Sequence, residues 1–175
     1  MKKSLVAALS VCVLMPLAAS AEEPKAFKDG REVVEAFYSD ILNNKDDATL
    51  RERAALIVAQ NWDDEPGPQP GVEGLDGLVN IFTKYHQAIP DMNWEPQEVL
   101  KAGNNRYVVR SIGSGTPVFD FLGVGIAPEN LGKKSFSILS IDIHTVKKGK
   151  IVKTYHVEDW RDAMRQLREP TAQPE

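Results

Sequence analysis

From residue 33 to residue 88 the apolar residues recur every three to four positions, and from residue 93 onward they alternate with polar ones. The first regime predicts three helices. Val33, Val34, Phe37, Ile41 and Leu42 share one side of the first, with Asp29-Gly30 where a cap belongs. Ala48 to Ala59 makes the second, turning Leu50, Ala54, Ile57 and Val58 inward and Arg51, Glu52 and Arg53 to water. Leu75, Leu78, Val79, Phe82 and Tyr85 mark the third, which runs to about Ala88 and stops at Ile89-Pro90. Residues 63–73 (DDEPGPQPGVE) hold three prolines and two glycines, so they are expected to form an irregular loop at the mouth of a site.

The second regime predicts strands. Asn93 to Ala102 and Arg106 to Ser114 are joined by a turn at Gly103-Asn104-Asn105, and Val118 to Val124 reads as a shorter strand. Ser135 to Val146 and Ile151 to Asp159 are the strongest pair, and Trp160 to Leu167 closes the chain with a short helix. The order is α+β: three N-terminal helices packed on a curved, mostly antiparallel sheet, a cone-shaped α+β barrel with an interior.

The register of the last hairpin decides which polar groups meet. A three-residue loop in VKKGK, with glycine third, pairs Val146 with Lys150. Even-numbered residues then share a face, Asp142 opposes Thr154, Ser140 opposes His156, and Asp142 and His156 are diagonal neighbours. A two-residue turn at Lys148-Gly149 shifts the pairing by one and sends His156 to the other face. In the first register one face gathers a carboxylate, two imidazoles and two hydroxyls, and Asp142 with His156 makes a candidate catalytic acid/base pair near neutral pH. The same two residues also fit a hydrogen-bonded polar pair without catalytic duty. His144 and Thr154 lie on that face as candidate ligand contacts. Asn61, Trp62, Phe82, His86 and Trp94 are candidates to shape the pocket, although Trp62, Phe82 and Trp94 also suit a core and His86 also suits a helix C-terminus. Asp159 is placed to cap the last helix.

The first 21 residues change the compartment. Lys2 and Lys3 precede an apolar stretch from Leu5 to Leu17, too short to span a bilayer, and Ala19-Ser20-Ala21 has the small-residue spacing of a cleavage site. We read 1–21 as a cleaved signal peptide, 22–28 as a polar leader, 29–168 as one domain and 169–175 as a flexible tail, with the mature protein periplasmic or secreted. Cys12 is the single cysteine and is preceded by Val11, which does not fit a lipidation site; its removal leaves no thiol for a disulfide or a cysteine metal site. Removing Lys2 and Lys3 leaves 19 basic against 25 acidic residues, a net of −6 with neutral histidines, which argues against a nucleic-acid partner. The one basic cluster, Lys147, Lys148, Lys150 and Lys153, belongs to the hairpin tip. No histidine spacing points to a metal site.

Three stretches in order carry a family resemblance: GVEGLDGLVNIFTKYHQAIPDMNWEPQEVL, VVRSIGSGTP and SIDIHTVKKGKIVKTYHVEDW. With these the chain resembles the SnoaL-like polyketide cyclase, or ester cyclase, group of the nuclear-transport-factor-2-like superfamily over roughly residues 30–167. The resemblance implies a deep, mostly apolar pocket between sheet and helices, a homodimer formed through the sheet, and a small hydrophobic ligand. It also implies proton transfer beside a carbonyl without metal or organic cofactor, as in ketosteroid isomerase. Relative to the pattern GKIxEHWDxxD, Thr154 stands at the usual histidine position and His156 lies two residues on. Pro117 and Asn61 stand at two further positions where such proteins carry histidine, while Asp142 and Asp159 match acidic ones. Two functions follow: a cofactor-independent acid/base enzyme acting on a hydrophobic carbonyl compound, or a non-catalytic small-molecule carrier or sensor using the same pocket.

Overall fold

In the computed structural model, residues 27–67, 73–120, 123 and 125–168 are described. The expected signal peptide, the leader up to residue 26 and the tail from 169 lie outside these residues.

The helices form where the apolar period predicts them, with two changes. Asp29 caps α1 (Gly30–Ala36), its carboxylate accepting from the backbone of Arg31 at 2.8 Å and Glu32 at 3.1 Å. After Ala36 the helix widens into a π-helical turn, Phe37–Leu42, in which Asn43 N–H donates to the carbonyl of Tyr38 five residues back at 2.9 Å. Phe37, Tyr38, Ile41 and Leu42 are all buried there. Helix α2 (Leu50–Ile57) stops two residues short of the expected Ala59, because Val58 is already extended and opens a strand. Helix α3 (Gly74–Ala88) matches its predicted span and carries its buried residues on the Leu75 and Leu78 side.

Strand β1 (Val58–Glu65) is the main correction. It takes in Asp63, Asp64 and Glu65, which composition assigned to a loop. It pairs in parallel with β5 (Lys150–Glu158), and Lys153 of β5 bridges Asp63 and Glu65 at 2.8 Å each, so charge compensation holds a sequence of low strand propensity in the sheet. Strands β2 (Asn93–Lys101), β3 (Arg106–Gly115) and β4 (Phe136–Lys147) follow the predicted spans closely. The sheet runs β1-β5-β4-β3-β2 and stays open, with three antiparallel pairings and one parallel. Residues 118–120 of the shorter expected strand are irregular, and positions 121, 122 and 124 are not described. Helix α4 (Trp160–Arg168) packs Ala163 and Leu167 inward. Phe27, expected in the polar leader, packs partly against the core.

The last hairpin uses the two-residue turn: Lys148 and Gly149 both have positive φ, 51° and 72°. That turn alone would have moved His156 to the wrong face. A bulge between Val146 and Thr145, where Val152 is the extra residue, shifts the pairing once more and restores the parity. The observed pairs are Asp142 with His156 and His144 with Thr154, in place of the expected diagonal arrangement. Ser140, Asp142, His144, Thr154, His156 and Glu158 therefore all face the helices. The outer face leaves Leu139, Ile141 and Val157 exposed, the last at 72%.

Candidate active site

The inward face of the sheet and the helices above it line a cavity of about 70 Å³ that opens to solvent. Its wall is largely aromatic. Phe37 of the π-helical turn meets Phe82 of α3 edge to face at 6.2 Å, and Tyr85 of α3 stacks on Trp160 of α4 at 6.4 Å. Trp94 of β2 enters across Gly113 of β3, its ring lying where any side chain at that position would stand. Its indole nitrogen is buried without a partner among the described residues.

Asp142 sits on the cavity floor, only 8% exposed. Tyr38 donates to its Oδ2 at 2.8 Å, and Ser140 donates to the same oxygen at 3.1 Å. Among the described residues no donor reaches Oδ1. Burial pushes the carboxyl up to about 6; the Tyr38 hydrogen bond opposes this, the Glu158 charge adds to it, and His156 and Ser140 oppose it. Burial, then the charge of Asp142, holds the Tyr38 phenol well above its ordinary range, so it stays a donor.

Beneath the floor lies His144, fully buried. Its Nε2 is 3.2 Å from the Tyr38 hydroxyl and its Nδ1 is 3.0 Å from Thr154 Oγ1, which also receives the Trp62 indole N–H at 3.0 Å. Burial, with the His156 charge, depresses His144 to about 3, so it is neutral.

His156 differs from its expected role. No hydrogen bond joins it to Asp142, although the two are paired across the strands. Its Nε2–H donates to the carbonyl of Pro66 at 2.9 Å and lies 3.4 Å from Asp64. Its Nδ1 is 2.9 Å from Glu158 in an ion-pair contact off the hydrogen-bond axis. Burial alone would lower this imidazole, but Asp64 and Glu158 outweigh it and raise it to about 11. His156 is thus an imidazolium held between two carboxylates, and it supplies charge where a shared proton was expected. Burial in turn raises Asp64, against the pull of His156.

The remaining candidates divide. Trp62, Phe82, Trp94 and Thr154 line the cavity. Thr154 spends its hydroxyl on His144 and Trp62, so it is a buried support where a ligand contact was expected. Asn61 is exposed on the other side of β1 because alternation along that strand turns Trp62 inward. His86 lies outside the cavity, tied to Asp47 at 2.6 Å and to the carbonyl of Leu42 at 3.3 Å. Sequence reasoning passed over Tyr38, Asp64 and Glu158. Glu158 was recoverable by carrying the even-numbered face past His156; Asp64 was hidden by the loop assignment, and nothing local marks Tyr38.

Among the described residues no group of three or more His, Asp, Glu or Cys is arranged to hold a metal ion. The described cavity lining carries three carboxylates, Asp64, Asp142 and Glu158, and one cationic imidazole, His156. What it can do is move a proton at Asp142 Oδ1 within a largely aromatic space.

Fold and floor together define an α+β protein with an aromatic pocket floored by a buried carboxylate. The chain belongs to the SnoaL-like polyketide cyclase family, which it matches over residues 32–167. No curated protein sequence matches it. Solved structures share the nuclear-transport-factor-2-like fold. A putative polyketide cyclase from Bacillus cereus ATCC 10987 is 22% identical with a TM-score of 0.61, covering 79% of each chain. IdmH, a putative polyketide cyclase from Streptomyces antibioticus, is 20% identical with a TM-score of 0.64 over 79% of this chain and 97% of its own. A phenazine biosynthesis-related protein from Pseudomonas aeruginosa is 18% identical with a TM-score of 0.60 over 83% and 89%.

Proposed function

We propose that this protein is a cofactor-independent acid/base enzyme of the cyclase or isomerase type, acting on a small hydrophobic carbonyl compound held in the cavity. Asp142 removes a proton beside the carbonyl and returns it to another atom of the ligand. The observation that carries this reading is the asymmetry of the carboxylate at an aromatic cavity: Oδ2 is held by two donors, while Oδ1 has none among the described residues. A carboxyl raised to about 6 is a stronger base than an ordinary aspartate and is still ionised at pH 7. The imidazolium of His156 keeps that anion tolerable in a space where Asp64 and Glu158 would otherwise repel it.

The test is deuterium incorporation at the α-carbon of enolisable apolar ketones in heavy water, followed by proton NMR. Exchange should climb as the pH rises through about 6, and Asp142→Asn should slow it by roughly a hundredfold or more with ligand affinity within a few-fold of the parent. Binding without exchange in the parent protein would overturn the enzyme and leave the carrier or sensor.

Two properties of the whole chain belong to the same proposal. The protein is exported, with residues 1–21 removed; amino-terminal sequencing of the periplasmic or secreted product should begin at Glu22, and an intact Met1 would refute this. It pairs through the outer face of the sheet, where Leu139, Ile141 and Val157 stand exposed. Sedimentation should give a dimer that Val157→Glu dissociates.

A further inference from the structure

We propose that Trp62, Thr154 and His144 are positioning residues, a one-way hydrogen-bond chain that pins the Tyr38 hydroxyl on Asp142 Oδ2 and leaves Oδ1 as the oxygen that takes and returns the proton. The role of Oδ1 rests on the function proposed above; the chain stands on geometry alone.

Each donor is dictated by its neighbour. An indole nitrogen only donates, so Trp62 gives its hydrogen to Thr154 Oγ1 at 3.0 Å. The one hydrogen of Thr154 is then free for His144 Nδ1, also at 3.0 Å. A neutral imidazole has a single N–H; with Nδ1 accepting, it lies on Nε2 and is directed to the Tyr38 oxygen at 3.2 Å. Tyr38 turns its own hydrogen to Asp142 Oδ2 at 2.8 Å. From the other end a carboxylate only accepts, and working back from Asp142 requires the same direction at every step. In the reverse arrangement two hydrogens converge on Thr154 Oγ1 and the threonine's own hydrogen is buried with no acceptor in the chain.

Two consequences follow for Asp142. A proton on Oδ2 would compete with Tyr38 and Ser140 for the two lone pairs they occupy, whereas a proton on Oδ1 displaces neither. The chain also begins at a group that does not release its proton, so no proton reaches Asp142 from behind. The other charged groups facing the site are His156 and Glu158 from β5 and Asp64 from β1, and none of them belongs to the chain.

The experiment is NMR on the full mature protein, without substrate. Two-bond proton–nitrogen correlations report the His144 tautomer, and carbonyl-labelled aspartate reports the Asp142 titration. The parent should show Nε2–H alone at pH 7 and still at pH 5, because the Trp62 end holds the direction once the neutral carboxyl accepts only weakly from Tyr38. Trp62→Phe removes that end, so at pH 5 a second population with Nδ1–H should appear and the Asp142 midpoint should rise by about half a unit to one unit. Thr154→Val should do the same should the tryptophan variant not fold, and Thr154→Ser should restore the parent pattern. An Nδ1–H tautomer in the parent at pH 7, or variants that keep a single Nε2–H at pH 5 with an unmoved midpoint, would overturn the proposal. A failed deuterium exchange with an intact tautomer pattern would count against the enzyme alone.

Discussion

Asp142 shows how one residue's surroundings set its chemistry. An unfolded aspartate releases its proton near 3.8, and this one near 6, so the native state binds more protons between those values. The stability this lends is present below pH 3.8 and is lost as the pH climbs through 6. A shift of about two units corresponds to a cost of about 3 kcal/mol for the ionised form at pH 7. Asp142→Asn is therefore expected to melt higher than the parent at pH 7, with the gap closing towards pH 4, as scanning calorimetry at several pH values would show. Tyr38→Phe removes the strongest opposition to burial, so the carboxyl midpoint should rise by roughly one unit; carbonyl-labelled NMR reads it directly, and an unchanged midpoint would mean that the bond carries little. The alternation of the last hairpin exposed Asp142, His144, Thr154 and His156 as one polar face. Tyr38 stayed hidden because helical spacing tells only that a side chain points inward, and the polar partner waiting for it is 104 residues away.

At the scale of elements, the last hairpin depends on two compensating irregularities. Its turn places Lys148 at φ 51°, a conformation that costs a side chain other than asparagine or glycine. Lys148→Asn should stabilise the protein by about 0.5–1 kcal/mol, a rise in thermal midpoint that would fail to appear were the turn of another type. The bulge at Val152 then returns His156 to the inner face. Turn chemistry was legible in the motif KKGK as two alternatives; the bulge was not, because it arises from strand twist and from β1 pairing along the other edge of β5. The same parallel edge overrode local preference at the end of α2 and drew three acidic residues into a strand.

For the whole molecule the consequence is a cavity that no single element encloses. The π-helical turn, α3 and α4 supply its walls and three strands its polar floor. Ile81 of α3 lines it and belongs to no part of the hydrogen-bond chain. Ile81→Trp should fill the space and weaken binding of an apolar ketone at least tenfold by calorimetric titration, roughly the cost of excluding a few methylenes, while the fold persists. Unchanged affinity would place the ligand elsewhere.

The sequence by itself determined the class of fold, the spans of α3 and the long strands, and the family, because hydrophobic period and turn residues act over a few positions and survive into the folded chain. It also marked Asp142 and His156 as polar residues of the last hairpin, on one face in one register and on opposite faces in the other. Only the tertiary structure decided what they do. Their protonation depends on burial and on Tyr38, Asp64 and Glu158, which come from distant parts of the chain, and electrostatics at a buried site answers to distance in space, not to distance along the sequence.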